Sequence, residues 1–160
     1  LFGKEIPKSG GDTMFANAAF VYQELDPLFA QYLDSLKVIQ SPDATGHITD
    51  RYLDPEEAGE ARRRMPPFEM PLIRVHPATG QKWIAVSESY VCYIKGVSRV
   101  HSQNILGILF DLIKSPDSSC RFEWEEGALA VWDNRVVQHR AVKDYEGNAG
   151  RQLYRCTMTA

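Results

Sequence analysis

The feature that most constrains this chain is where its strand-like runs fall. Leu1 to Pro7 reads as the tail of a strand. Four short apolar runs, Arg121 to Trp124, Leu129 to Trp132, Val136 to Val142 and Gln152 to Thr157, follow one another with short connections at the other end. Between them lie helical patterns. From Phe15 to Leu36 apolar residues recur at helical spacing (Phe20, Leu25, Leu28, Phe29, Tyr32, Leu33, Leu36), with Pro27 dividing the run into two helices. Asp54-Pro55-Glu56-Glu57 starts another helix, with a capping aspartate, proline in the first turn and acids near the positive end. Pro66 and Pro67 end it. Ser98 to Ser115 is a further amphipathic helix. Leu72 to His76 and Lys82 to Val86 read as strands around a turn at Pro77 to Gly80, and Ile39 to Asp54 as a loop. Strands at both ends with helices inserted between them give an α+β chain on an antiparallel sheet.

Composition narrows the partners. At 160 residues, 44% of them hydrophobic, the chain can bury roughly 70% of its unfolded surface in a single domain, residues 1–160. A net charge of -3 argues against a general nucleic-acid binder. The one basic run, Arg62-Arg63-Arg64, shares a helical stretch with Glu56, Glu57 and Glu60 and reads as a solvated face. No apolar run approaches the roughly 18 residues needed to span a membrane. Cys92, Cys120 and Cys156 lack metal-type spacing and read as buried free thiols, which fits a reducing, cytoplasmic setting.

The chemistry concentrates near the end of the chain. Trp132-Asp133-Asn134-Arg135-Val136-Val137-Gln138-His139 puts a histidine on a strand, and Arg151 and Arg155 follow. Neutral imidazole ligates iron, zinc or copper, and an arginine fork holds a carboxylate bidentately. On one strand, residues four apart share a face, with backbones about 13 Å apart, so both guanidinium groups can project into one cavity. A metal ligand beside carboxylate anchors suggests an enzyme that binds a small dicarboxylic acid at a metal.

Gly10-Gly11-Asp12-Thr13, a helix, a long middle, then Trp132 to His139 and the paired arginines resemble the taurine/2,4-D dioxygenase family. The resemblance runs from about Gly10 to Thr157. It implies a double-stranded β-helix, or jelly roll, with a metal in its mouth. It also implies Fe(II), 2-oxoglutarate as cosubstrate, oxygen, and a small acidic substrate such as a taurine-like sulfonate, oxidised as 2-oxoglutarate is decarboxylated to succinate. His139 is then the last of three iron ligands. Arg151 with Thr13 grips the far carboxylate of 2-oxoglutarate, although Thr13 also suits a helix cap. Arg155 lies nearer the metal, by the cosubstrate and the substrate's acid, and Tyr90 lines the substrate pocket. Asp133 and Asn134 fix the turn that aims His139, Trp132 packs in the core, and Asp12 is structural. His47, His76, His101 and Trp83 are packing or surface residues.

The family's other two ligands form a His-x-Asp or His-x-Glu pair, and no histidine here begins one. We expect that pair before Leu1 and the segment alone to be inactive. The other reading is a jelly-roll binding protein for small acids, or a regulatory relative without a complete iron site. Residues 37–70 read as a variable insertion or lid. Relatives suggest a homo-oligomer.

Overall fold

The strands pair antiparallel throughout, and the longest-range pairing joins the two ends of the chain. The computed structural model describes residues 1–41, 44, 54–64, 66–145 and 150–158, with backbone only at 61 and 62. Among these, β1 (Phe2–Glu5) pairs with β10 (Gln152–Tyr154). β2 (Thr13–Asn17) lies between β8 (Ser119–Phe122) and β9 (Val137–Ala141). β3 (Lys37–Gln40) lies between β4 (Phe68–Pro71) and β7 (Val91–Ile94). β5 (Ile73–Val75) and β6 (Lys82–Ile84) form a hairpin around the expected turn. With α1 (Ala18–Gln23), α2 (Pro27–Asp34), α3 (Pro55–Arg64) and α4 (Arg99–Lys114), the architecture is mixed α+β.

Local chemistry sets the boundaries. Asn17 ends β2 and caps α1, its Oδ1 accepting from the backbone N–H groups of Ala19 and Phe20 at 3.0 Å. The helical periodicity that starts at Phe15 therefore begins three residues too early, and Thr13 opens a strand instead of capping a helix. Asp54 caps α3 as expected: its carboxylate accepts from Glu56 and Glu57, and Glu57 reaches back to the Asp54 N–H. Ser98 caps α4.

Several strand boundaries differ from the sequence reading. Ile39 and Gln40 belong to β3, where Val38 and Gln40 are buried; two apolar residues are too few to mark a strand by pattern. The supposed insertion is thus tied at both ends into one sheet, while 42–43, 45–53 and 65, with most of the expected loop and His47, lie outside the described residues. Leu129 to Trp132 is not a strand. Leu129 makes one bridge to Phe2, and Leu129 and Val131 are exposed. The last strand stops at Tyr154, so Arg151 and Arg155 flank it. The three cysteines are free but exposed, not buried.

The core forms where α1 packs on β6 and α4 on β7. Leu106, Leu109 and Ile113 share one face of α4 and are buried against Leu33, Val38, Leu72, Ile84 and Ile94. Ser102 Oγ accepts from the Ile94 N–H at 2.8 Å, which locks the helix to β7. Two glutamines carry this rigidity outward: Gln40 donates to the Ala85 carbonyl at 2.8 Å and Gln138 to the Val86 carbonyl at 2.7 Å. The chain leaving β6 is thereby fixed against β3 and β9.

Candidate active site

His139 lies at the middle of β9, directly opposite Phe15 of β2. Thr13 pairs with Ala141, so Thr13, Phe15, His139 and Ala141 share one face. The imidazole is exposed on one side and packs edge-on against Trp132, with ring centroids 4.8 Å apart. Phe15 meets the same indole at 4.8 Å. Trp132 is half-buried in this aromatic cluster, not sealed in the core.

The turn before β9 is built by Asp133. One carboxylate oxygen accepts from the Arg135 N–H at 2.9 Å, and the guanidinium of Arg135 pairs with the same carboxylate. The other oxygen lies 2.9 Å from Nε2 of His76, a residue only 5% exposed. Nδ1 of His76 accepts from the N–H groups of Ala78 and Thr79, so the proton must be on Nε2 and point at Asp133. Arg135 and His76 together hold the Asp133 carboxyl far below the usual carboxylate range. His76 was read as plain packing; its partner is far along the chain, and no local pattern announces such a pair.

Enclosure by the aromatic rings pushes the His139 pKa below its ordinary 6.5, and the charge of Arg155 lowers it further. The sign follows from proton binding. The folded state holds this proton less tightly than the unfolded chain. The stabilising contribution is therefore full above pH 6.5 and is lost as pH falls through the lower folded value. In the metal-free whole protein, the His139 ring should titrate by NMR below 6.5, and Arg155→Met should move that midpoint upward. A midpoint at or above the ordinary value would contradict this environment.

His139, Arg155 and Tyr90 line one cleft of about 520 Å³, together with Arg74, Trp83, Asn134, Arg135 and Gln138. Arg155 donates from Nε to Thr157 Oγ1 at 3.2 Å. Arg151 and Thr13 are not among the residues lining this cleft. Arg151 turns to the glycine loop, where its Nε donates to the Gly11 carbonyl at 2.6 Å. A Cβ on Gly11 would meet the Arg151 side chain at 3.1 Å, and Gly11 also has φ +78°, so glycine answers both space and conformation. Thr13 is buried, its Oγ1 accepting from Trp124 Nε1 at 2.9 Å. Asp12 is buried and pairs with Arg121, which also reaches Asp144; Asp144 in turn accepts from the Gly11 N–H. The two arginines thus serve two neighbouring places: Arg155 the cleft, and Arg151 the loop two residues before Thr13.

Among the described residues no group of three or more His, Cys, Asp or Glu is placed to hold a metal ion. His139 is one donor. Arg74, which the sequence reading passed over, lies on β5 facing the Trp83 ring at 5.4 Å. No alternation marks its direction, since Ile73 is buried while Arg74 and Val75 are both exposed.

The chain belongs to the family described as taurine catabolism dioxygenase TauD, TfdA family, whose model matches residues 1–157. It is 32% identical to an alkylsulfatase of Acinetobacter baylyi, over 99% of this chain and 50% of that protein. It is 34% identical to an alpha-ketoglutarate-dependent sulfate ester dioxygenase of Pseudomonas putida, over 95% of this chain and 51% of that one. The crystal structure of a taurine dioxygenase from Burkholderia xenovorans superposes with a TM-score of 0.73 at 32% identity, covering 89% of this chain and 45% of the other. The chain spans about half the length of the curated relatives it matches. Among the described residues, no helix is long and apolar enough to cross a membrane.

Proposed function

We propose that the whole protein of which this chain is a part is an Fe(II)- and 2-oxoglutarate-dependent dioxygenase that hydroxylates a small acid of the sulfonate or sulfate-ester kind. The observation that carries this reading is the cleft itself: the His139 imidazole, the guanidinium groups of Arg74, Arg135 and Arg155 and the Tyr90 ring line it, and none of its described lining residues is a carboxylate. An anion entering there meets two guanidinium groups, Arg74 and Arg155, that no described carboxylate balances, and no carboxylate among the described lining residues.

The residues fit 2-oxoglutarate. The Nε of Arg151 is taken by the Gly11 carbonyl, which leaves its terminal amino groups to hold a carboxylate from a fixed base. Thr13 accepts from Trp124, so its own hydroxyl proton is free to donate. Arg155 holds the substrate's anionic group in the cleft beside His139, and Tyr90 closes a wall. His139 supplies one nitrogen for iron. The described residues alone do not complete an iron site, and we assign the other two ligands to a His-x-Asp or His-x-Glu pair elsewhere in the whole protein. When bound, Fe(II) and 2-oxoglutarate supply the oxidising chemistry, with succinate and carbon dioxide as coproducts. The strands described here would form part of a double-stranded β-helix completed by that same remainder, with 1–160 inside one domain.

The test is oxygen and 2-oxoglutarate consumption by the iron-loaded whole protein with a panel of sulfonates, sulfate esters and aryloxy acids. Succinate formation with at least one acid is expected. A well-folded preparation that makes no succinate, coupled or uncoupled, would make this a binding or regulatory relative instead.

A further inference from the structure

Two cations in the cleft are not neutralised by any described carboxylate. Arg155 spends its Nε on the Thr157 hydroxyl. The guanidinium carbon of Arg74 lies 5.4 Å from the ring centroid of Trp83, an indole only 4% exposed and part of the core. Arg135, the third guanidinium, differs because Asp133 balances it. A buried indole is a rigid platform. The cation–ring contact restrains a long side chain that would otherwise sample many rotamers, and holds the guanidinium at the cleft. The hairpin under it is rigid too: Arg74 and Trp83 are cross-strand partners, and the chain after β6 is pinned by Gln40 and Gln138. A cation held this way, lining the same cleft as Arg155, has the form of a second anion anchor.

We propose that Arg74 binds a second acidic group of the substrate, so that the preferred substrate class is a small diacid, with one anion at Arg155 and the other at Arg74. This rests on the reading of the cleft as the substrate site. A monoacid would leave one guanidinium unmatched in the cleft. A diacid matches both, and the spacing of its two anions becomes the basis of selection.

The whole protein is titrated calorimetrically with alkane-α,ω-disulfonates of two to six carbons and with alkane-1-sulfonates of the same lengths. At least one disulfonate should bind about 10-fold or more tighter than its matched monosulfonate, the low end for a charged hydrogen-bonded contact. Arg74→Gln should erase that preference, the disulfonate losing far more affinity than the monosulfonate. Arg74→Lys, which keeps charge but not the planar fork, should retain part of it and decides the matter if the glutamine variant does not fold. No preference at any length, no binding by either series, or an undiminished preference in the folded variants would overturn the proposal. Succinate formation by the wild-type protein separates the two readings. Turnover without a diacid preference removes only the Arg74 anchor. An Arg74-dependent preference without turnover leaves the anchor and removes the dioxygenase.

Discussion

His139→Ala is expected to abolish 2-oxoglutarate turnover in the iron-loaded whole protein while leaving the fold in place. Alanine removes the only imidazole that the cleft offers among its described residues, and iron held by fewer protein ligands loses both affinity and geometry. The structural loss is small by comparison. The ring is exposed on one side, and its packing partners are Trp132 and Phe15. Losing such ring contacts costs about 1 kcal/mol, a shift of at most a few degrees in the melting temperature of a protein this size or larger. Metal titration and thermal unfolding measured on the same sample check both halves. A folded variant with wild-type Fe(II) affinity would remove His139 from the metal site.

Arg151→Lys is expected to raise the apparent constant for 2-oxoglutarate about 10- to 150-fold, the equivalent of one charged hydrogen bond at roughly 1.5–3 kcal/mol. Lysine keeps the charge but cannot both donate to the Gly11 carbonyl from a fixed Nε and present a two-point fork. Iron affinity should hardly change. Arg155→Lys should instead penalise the primary substrate at least as strongly as 2-oxoglutarate, because Arg155, and not Arg151, lines the cleft with His139. Measuring both constants in both variants separates the two roles. Identical profiles would mean that the arginines act on the same ligand.

The parts legible in the sequence were those written locally. Asp54 and Ser98 announce their helices because a cap and the N–H groups that donate to it lie within a few residues. The Pro77 to Gly80 turn is likewise local, and the spacing of Trp132, His139 and Arg151 needed no structure to be noticed. What stayed hidden depends on partners far along the chain. β3 is a strand because β4 and β7 flank it, not because Val38-Ile39 is a strong pattern. Leu129 to Trp132 looked strand-like by composition, but among the described residues its pairing is confined to an isolated bridge from Leu129 to Phe2 and the bonds between Ala130 and Leu1, too short a ladder to make a strand. His76 could be read only as a histidine before a proline until Asp133 stood beside it. Arg74 was one arginine among many until a buried indole lay beneath it. The expectation of two arginines on one strand face took the chain as extended through Arg155, whereas pairing stops at Tyr154 and lets the two side chains part.

The ladder between β2 and β9 works as an address. Phe15 faces His139, and their neighbours on either side are Arg140 and Gln138. A slip of one residue would present a cation or an amide where the imidazole now stands and turn the ring to the other face. Two anchors oppose that slip: at one end the Val142 N–H donates to the Asp12 carbonyl at 2.9 Å, and at the other the Ala18 N–H donates to the Val136 carbonyl at 2.9 Å. A sequence change far from the cleft that loosened either anchor could therefore silence the protein without touching any group that meets a ligand, by misdelivering the right side chain to the wrong side of the sheet.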